Sequence, residues 1–481
     1  MSAPFYITTT LPYVNAEPHI GFAMEIIRAD VIARWKKLQG YEVFFNTGTD
    51  EHGAKIFEAA KKAEQESQAY IDEAAKKFQA LISLLNLSEP NFIRTTDPHH
   101  IKAAQKFWEI CAKNGYIYKK PYKIKYCVGC ELEKTDSELE SEKCPLHPTR
   151  EIEEIEEENY FFKFSEFQKP LLDFYEKNPN FVIPDFRFNE IKAFVERRLE
   201  DFSISRLKEK MPWGIEVPDD SMHVMYVWFD ALVNYISAIG WPDDLEKFKK
   251  WQTKSGGVVQ YCGKDNLRQQ SAMWQAMLMA TGLPPSRQIV IDGFITSEGG
   301  VKMSKSLGNV VSPAEIVKEY GADALRYFVC RELHPFEDSP FTMERFKEAY
   351  NANLANGLGN LVSRVMKMAE QNKIVLGIKY KVLGEEKNKK YEEVIEKYDL
   401  KTAMDFVWEK IQAADKKIQE TQPFKLVKTE PEEAKKIISG LLSKLSEIAE
   451  LLLPFMPETA EKILNLIKIG KAPDQPLFPR K

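Results

Sequence analysis

Phe5 to Gly53 reads FYITTTLPYVNAEPHIGFAMEIIRADVIARWKKLQGYEVFFNTGTDEHG, and three successive patterns divide it. Phe5 to Thr10 is aromatic and β-branched, as in a buried strand. From Ala23 to Leu38, the residues Met24, Ile27, Val31, Trp35 and Leu38 recur at helical spacing, and Gly40 is a natural stop. Tyr41 to Thr47 is again apolar and predicts a second strand. Further along, Val258 to Cys262 and Gln288 to Ile295 predict two more strands around a helix from about Leu267 to Thr281. Alternation of this kind favours an α/β fold with a parallel sheet and right-handed crossovers. Ligands of such sheets bind beyond the carboxyl ends of the strands. His19, Asp50 and Asp265 follow the strands and are expected to converge there.

The rest of the chain differs in character. Residues 115–222 separate the two α/β halves and carry a cysteine cluster, the acidic run Glu151 to Glu158 and the aromatic stretch Tyr160-Phe161-Phe162. They predict an insertion with its own small β-rich fold, the acidic run being a solvated face. From Tyr350 onward the pattern is helical. Asn351 to Gln371, Leu400 to Thr421 and Pro431 to Leu453 are long amphipathic segments, as in a bundle.

Bulk properties exclude several classes. The 481 residues suggest about three or four domains. With 44% hydrophobic and 29% charged residues, the composition is that of an ordinary globular protein. A net charge of −5 gives no chain-wide footprint for nucleic acid, so any RNA contact must be local. The start, Met1-Ser2-Ala3-Pro4, shows no basic segment followed by an apolar one, and no apolar run is long enough to span a bilayer. Six cysteines, three of them clustered, do not form a secreted disulfide framework. The expected location is the cytoplasm.

Two groups of residues point to chemistry. Cys127-x2-Cys130 and Cys144-x2-His147, thirteen residues apart, supply three thiolates and an imidazole on two turns. That set closes a tetrahedron around Zn2+ and leaves no open position, so the expected zinc is structural. Cys111, Cys262 and Cys330 have no such partners and are expected in the core. Behind Gly299-Gly300 stands Lys302-Met303-Ser304-Lys305-Ser306, two lysines and two hydroxyls suited to charge building on phosphate oxygens. Far upstream, Pro18-His19-Ile20-Gly21 opens a helix, where backbone N–H groups favour phosphate.

These two motifs together resemble the HIGH and KMSKS signatures of class I aminoacyl-tRNA synthetases. Within that class, Thr10 to Asn15, Thr47 to Gly53, Tyr226 to Ala231 and Lys302 to Val310 are similar to signatures of the methionyl-tRNA synthetase family, and the resemblance spans nearly the whole chain. It implies a Rossmann-type catalytic domain split over 1–114 and 223–294, a zinc-binding connective insertion over 115–222, a linking region over 295–349 and a helical anticodon-binding domain over 350–481. It also implies the reaction: methionine and ATP, with Mg2+, give the adenylate and pyrophosphate, and methionine then passes to tRNA-Met.

The resemblance assigns roles residue by residue. His19, Gly21, Lys302 and Lys305 would be catalytic, and these four with Gly263, Asp265 and Ser304 would hold ATP. Asp50 would bind the substrate ammonium. Leu11, Tyr13, Val227, Trp228, Ala231, Tyr235, Gln270 and Trp274 would line the methionine side-chain pocket. Asn360, Arg364 and Phe424 would meet the anticodon, the phenylalanine by stacking on an unpaired base. The similar class I synthetases for Ile, Val or Leu carry a large editing domain, because a methylene discriminates weakly. The insertion here is mostly accounted for by its metal-binding region, which argues against those substrates.

Four positions depart from the family. Phe22 replaces the second histidine of HIGH and removes a phosphate donor. Gln269-Gln270 stand in place of an aromatic-histidine pair beside the pocket, and Asn266 replaces an aliphatic residue. The chain ends at Lys481 without the appended dimer-forming module of some relatives, so a monomer is expected. Two alternatives stay open at this point: a synthetase for another small apolar amino acid, and an RNA-binding protein that has lost activation.

Overall fold

The computed structural model describes residues 2–15, 17–130, 132–134, 139–297, 299, 311–376 and 386–481. Six strands form one parallel sheet: β1 (Pro4–Thr9), β2 (Glu42–Thr49), β3 (Asn91–Arg94), β4 (Val182–Ile183), β5 (Val258–Gly263) and β6 (Gln288–Asp292). Their spatial order is β3-β2-β1-β5-β6-β4. The chain therefore steps outward from β1 in one direction, then returns to start again at β5 on its other side. Phe5 pairs with Val43, and Tyr6 with Val258. A cleft opens where the order reverses, beyond Thr9, Thr49 and Gly263.

The predicted strands lie where the pattern placed them, to within a residue or two. The main exception is Gln288 to Ile295, which breaks after Asp292 and resumes as Ile295–Thr296, paired with Ser339–Pro340. The predicted helix at 23–38 is Ile20–Leu38, here α1. Nearly every side chain of α1 is buried, including Glu25, Arg28 and Asp30. A helix buried all round needs its charges paired. Arg28 meets Asp292 at 3.0 Å and donates to the carbonyls of Val329, His334 and Pro335, while Asp30 meets Arg326 at 2.7 Å.

The segment at 115–222 opens as a long hairpin. Ile117–Cys127 pairs antiparallel with Glu153–Phe162, so Lys123 and Lys125 stand opposite Glu156 and Glu154 of the acidic run, with Lys119 and Lys120 just beyond its end. Lys119 bridges Glu158 at 3.4 Å, and Glu153, Glu154 and Glu158 are exposed. Two helices follow, Gln168–Lys177 and Asp185–Glu196, so the segment is not purely β. Between them β4, only two residues long, joins the edge of the main sheet through β6. A short antiparallel sheet ending at Met225 then delivers the chain back to the cleft.

Past the linker, helices Asn360–Gln371, Leu400–Thr421, Pro431–Leu452 and Pro457–Ile469 pack around Leu, Ile and Met side chains. The first continues a wide-turned helical stretch over Tyr350–Gly359, whose small residues admit the looser winding. One apolar core runs unbroken from α1 through the linker into these helices. Among the described residues no helix is long and apolar enough to cross a membrane.

Candidate active site

His19 is the residue that begins α1. Its φ of −125° and ψ of 168° are extended, and its Nδ1 accepts a hydrogen bond from the Gly21 amide across 3.1 Å. With Nδ1 an acceptor, the ring proton resides on Nε2, which becomes a donor. Gly21 gives that fold-back room: a Cβ there would stand a tight 3.0 Å from both Cε1 and Nδ1 of the ring. His19 does not follow β1 directly, as the sequence suggested; residues 10–18 intervene and lay Leu11 to Val14 along the cleft.

That intervening segment meets the end of β2. Tyr13 and Asp50 form an isolated parallel bridge, with the Asp50 amide donating to the Pro12 carbonyl at 3.0 Å. The main chain thus sets Asp50 beside Leu11 and Tyr13. Two residues on, His52 Nδ1 lies 3.0 Å from Asp230 Oδ2, with both side chains buried. This contact pins the loop after β2 to the helix Val227–Leu232, which carries Val227, Trp228 and Ala231. Both residues stand inside signature stretches of the sequence, but sequence reasoning gave neither a role.

The apolar residues fall into two walls. Tyr13, Val227 and Trp228 cluster with Tyr126, Val128 and Tyr226. Tyr235 lies 6.0 Å, ring to ring, from Trp274 and accepts a hydrogen bond from Gln270 at 2.7 Å. Gln269 and Gln270 are both buried. Trp228 and Ala231 sit on the helix Val227–Leu232, and Tyr235 on the short helix that follows it, Asn234–Ser237.

At the end of β5, Gly263 and Asp265 interlock. A Cβ on Gly263 would stand 2.9 Å from the Asp265 carboxylate, and Asn266 donates to that carboxylate at 3.2 Å. The sequence reading missed Glu25, a single carboxyl within the apolar run of α1. It accepts from the Thr10 amide at 2.8 Å and from the Thr10 hydroxyl. Burial pushes its pKa up to about 8 against those hydrogen bonds, with Asp292 and Asp265 adding to the rise.

Lys302, Ser304 and Lys305 lie outside the described residues. The chain re-emerges at Val311, whose carbonyl accepts from the Ile20 amide at 3.1 Å. The segment following the Lys302 to Ser306 motif is therefore fastened to the start of α1, right beside His19. Phe22 takes no part in the cleft. Its ring is buried edge-on against Phe78, centroids 5.5 Å apart.

Cys127, Cys130, Cys144 and His147 come together at the tip of the hairpin, with ligand atoms all within 4.8 Å of one another. The sulfur of Cys130 lies 3.4 Å from that of Cys144 and 3.2 Å from His147 Nδ1. Gly129 is required by this closure, since a Cβ there would stand 2.4 Å from the His147 ring. Three sulfurs and a nitrogen so arranged could hold a metal ion. On the bundle, Asn360 is exposed, Arg364 is paired with Asp415, and the Phe424 ring is 51% exposed.

A family profile described as tRNA synthetases class I (M) matches residues 5–154 and 136–366. The methionine–tRNA ligase of Thermotoga maritima is 40% identical over 98% of this chain and 76% of its own length. That of Rickettsia bellii is 38% identical over 99% of this chain and 95% of its own. The chain belongs to the class I methionyl-tRNA synthetases. Among solved structures, the Mycobacterium tuberculosis methionyl-tRNA synthetase in complex with methionyl-adenylate superimposes with a TM-score of 0.89, at 33% identity and full coverage of both chains. The synthetase architecture explains the order of the elements: the split sheet builds one cleft, and the insertion leaves and re-enters at its rim.

Proposed function

We propose that this chain carries out its family's ligase reaction with the residues gathered at the cleft. It activates L-methionine with ATP to methionyl-adenylate and pyrophosphate, then transfers methionine to the terminal adenosine of tRNA-Met. The observation that carries this reading is the hydrogen bond from Ile20 to Val311, which brings the chain leaving the Lys302 to Ser306 motif against the start of α1.

In activation, the methionine carboxylate attacks the α-phosphate and pyrophosphate leaves, so catalysis is positioning plus stabilisation of spread negative charge. Asp50, fixed by the main chain beside Tyr13, receives the ammonium. Leu11, Tyr13, Val227, Trp228, Ala231, Tyr235, Gln270 and Trp274 enclose the side chain. The Nε2–H of His19 and the amides opening α1 meet phosphate oxygens, and Lys302, Ser304 and Lys305 cover the departing pyrophosphate. Gly263 and Asp265 take the ribose. Mg2+ accompanies ATP and shields its charge.

The three thiolates and imidazole at the hairpin tip fit a structural Zn2+, whose four protein ligands leave no place for substrate. Asn360, Arg364 and the exposed Phe424 ring fit an anticodon-binding face. The reading includes a cytoplasmic monomer.

The test is amino-acid-dependent ATP–pyrophosphate exchange without tRNA, across all twenty amino acids. Exchange with methionine alone is expected. Exchange with a different amino acid would overturn the pocket assignment, and none from folded, metal-loaded protein would overturn the activation step.

A further inference from the structure

The chain that leads from β6 toward the Lys302 to Ser306 motif is held from one side by the turn 334–338. His334 Nδ1 accepts from the amides of Phe336 and Glu337 at 3.2 and 3.0 Å, and the His334 amide donates to the Ser339 hydroxyl at 2.9 Å. Arg28 of α1 donates to the His334 and Pro335 carbonyls, both at 3.1 Å. The turn is therefore fixed to the helix that His19 opens. It packs tightly on the main chain at Gly293, where a Cβ would stand 2.1 Å from the Glu337 carbonyl carbon. Beyond it, the amides of Ser339 and Phe341 donate to the carbonyls of Phe294 and Thr296 at 3.0 and 2.9 Å.

Asp338 closes this frame. Its Oδ1 accepts from the Phe294 amide at 2.9 Å, and its Oδ2 accepts from Lys264 Nζ at 2.7 Å. Lys264 also stands over the Phe294 ring, 4.5 Å from its centre. Burial works to raise the Asp338 pKa, but the hydrogen bonds from Lys264 and the Phe294 amide outweigh it, and the carboxyl titrates below its ordinary value. With side chains 24% and 40% exposed, a single ion pair of this kind adds little to stability. Its consequence is geometric. One member lies between Gly263 and Asp265, and the other grips the chain just after it leaves β6.

We infer that Lys264 and Asp338 are positioning residues for the activation step: their ion pair holds the turn after β5 at a fixed distance from the chain that runs on to the Lys302 to Ser306 motif. This rests on the proposed reading, in which Gly263 and Asp265 take the ribose while Lys302, Ser304 and Lys305 cover the departing pyrophosphate. Groups that hold two parts of one nucleotide must keep their spacing, because small displacements weaken catalysis steeply. Neither Lys264 nor Asp338 needs to touch ATP. The requirement ends once pyrophosphate has left, so the transfer of methionine to tRNA does not call on the pair.

The test measures the two steps separately in the full chain. Asp338→Asn keeps an acceptor for the Phe294 amide and removes the charge that Lys264 meets. Lys264→Met keeps the stem and removes the ammonium. Each is expected to lower kcat in methionine-dependent pyrophosphate exchange about threefold to thirtyfold, with the methionine KM unchanged. The double variant should fall no further than the lower of the two single ones. Single-turnover transfer from preformed methionyl-adenylate to tRNA-Met should keep its wild-type rate in all three. Equal losses in both steps would mean general damage to the fold and overturn the proposal. So would a loss with Lys264→Met alone, since that lysine would then act on ATP directly, or wild-type exchange in both variants. Should Lys264→Met fail to fold, the two rates of Asp338→Asn decide. Absence of exchange in the wild type would instead overturn the proposed function, and this role with it.

Discussion

Lys55 donates a hydrogen bond from its Nζ to the Gly129 carbonyl across 2.9 Å, and the same ammonium lies 5.6 Å from the centre of the Tyr13 ring. One lysine therefore joins the metal knuckle at the hairpin tip to the segment beside Asp50. Val128, next to Gly129, packs against the same wall.

Metal loss should therefore be felt by methionine more than by ATP. Cys127→Ser is expected to lower bound metal and raise the methionine KM roughly tenfold, with the ATP KM nearly unchanged, as for partners that orient a site indirectly. Metal analysis alongside exchange kinetics checks this. Full metal retention in the variant would remove Cys127 from the ligand set. Lys55→Met, with metal retained, should shift the methionine KM in the same direction.

Gly21→Ala places a methyl against the His19 ring and breaks the bond that sets its tautomer. The exchange kcat should fall about tenfold or more, because the donor is displaced by a fraction of an ångström to an ångström. The melting temperature should hold, since the site is near the surface. A wild-type rate in this variant would show that the fold-back of His19 is irrelevant to catalysis.

Phe22→His restores the family's residue in sequence but not in space. The ring position is buried against Phe78, so an imidazole there would be desolvated without a partner. The substitution should cost about 1–3 kcal/mol of stability and leave the exchange rate no higher than wild type. Chemical denaturation and exchange assays read the two arms. A faster enzyme would mean that the histidine reaches the phosphates after all.

Glu25 supplies a pH signature. Burial, the largest cause, pushes its carboxyl from 4.5 to about 8. A raised folded-state pKa contributes stability that is fully present below the unfolded value of 4.5 and is lost as pH rises through about 8. The wild-type melting temperature should fall between about pH 4.5 and about pH 8, and Glu25→Gln should flatten that fall. Parallel slopes for the two proteins would place the titration elsewhere.

Much of this was legible because local pattern and tertiary role agree. The alternating strands, α1 and the helices of the bundle are each written in a single periodicity. Asp50 and His19 stand in long motifs, and Cys127, Cys130, Cys144 and His147 have ligand spacing. What stayed hidden is pairwise and distant. The two residues of β4 are too short to carry a strand pattern, yet they complete the sheet. His52 and Asp230 are an ordinary histidine and aspartate until folding sets them 3.0 Å apart. Glu25 gave one signal, an acid in an otherwise apolar run, and its meaning depended on Thr10 and Asp265. The two adjacent glutamines were visible as departures, but the hydrogen bonds of Gln270 with Tyr235 and Gln260 were not. The Lys302 to Ser306 motif, the most telling in sequence, lies outside the described residues.

Arg326 meets Asp30 of α1 at 2.7 Å with neither side chain exposed, and also donates to the carbonyls of Leu85, Pro454 and Phe455. A guanidinium spent in this way leaves no seam between the catalytic sheet, the linker and the last helices. On the proposed placement of the anticodon, the molecule would act as a caliper with fixed jaws. It would measure its tRNA by reach as well as by base identity, and a tRNA of the wrong span or bend could satisfy one jaw only.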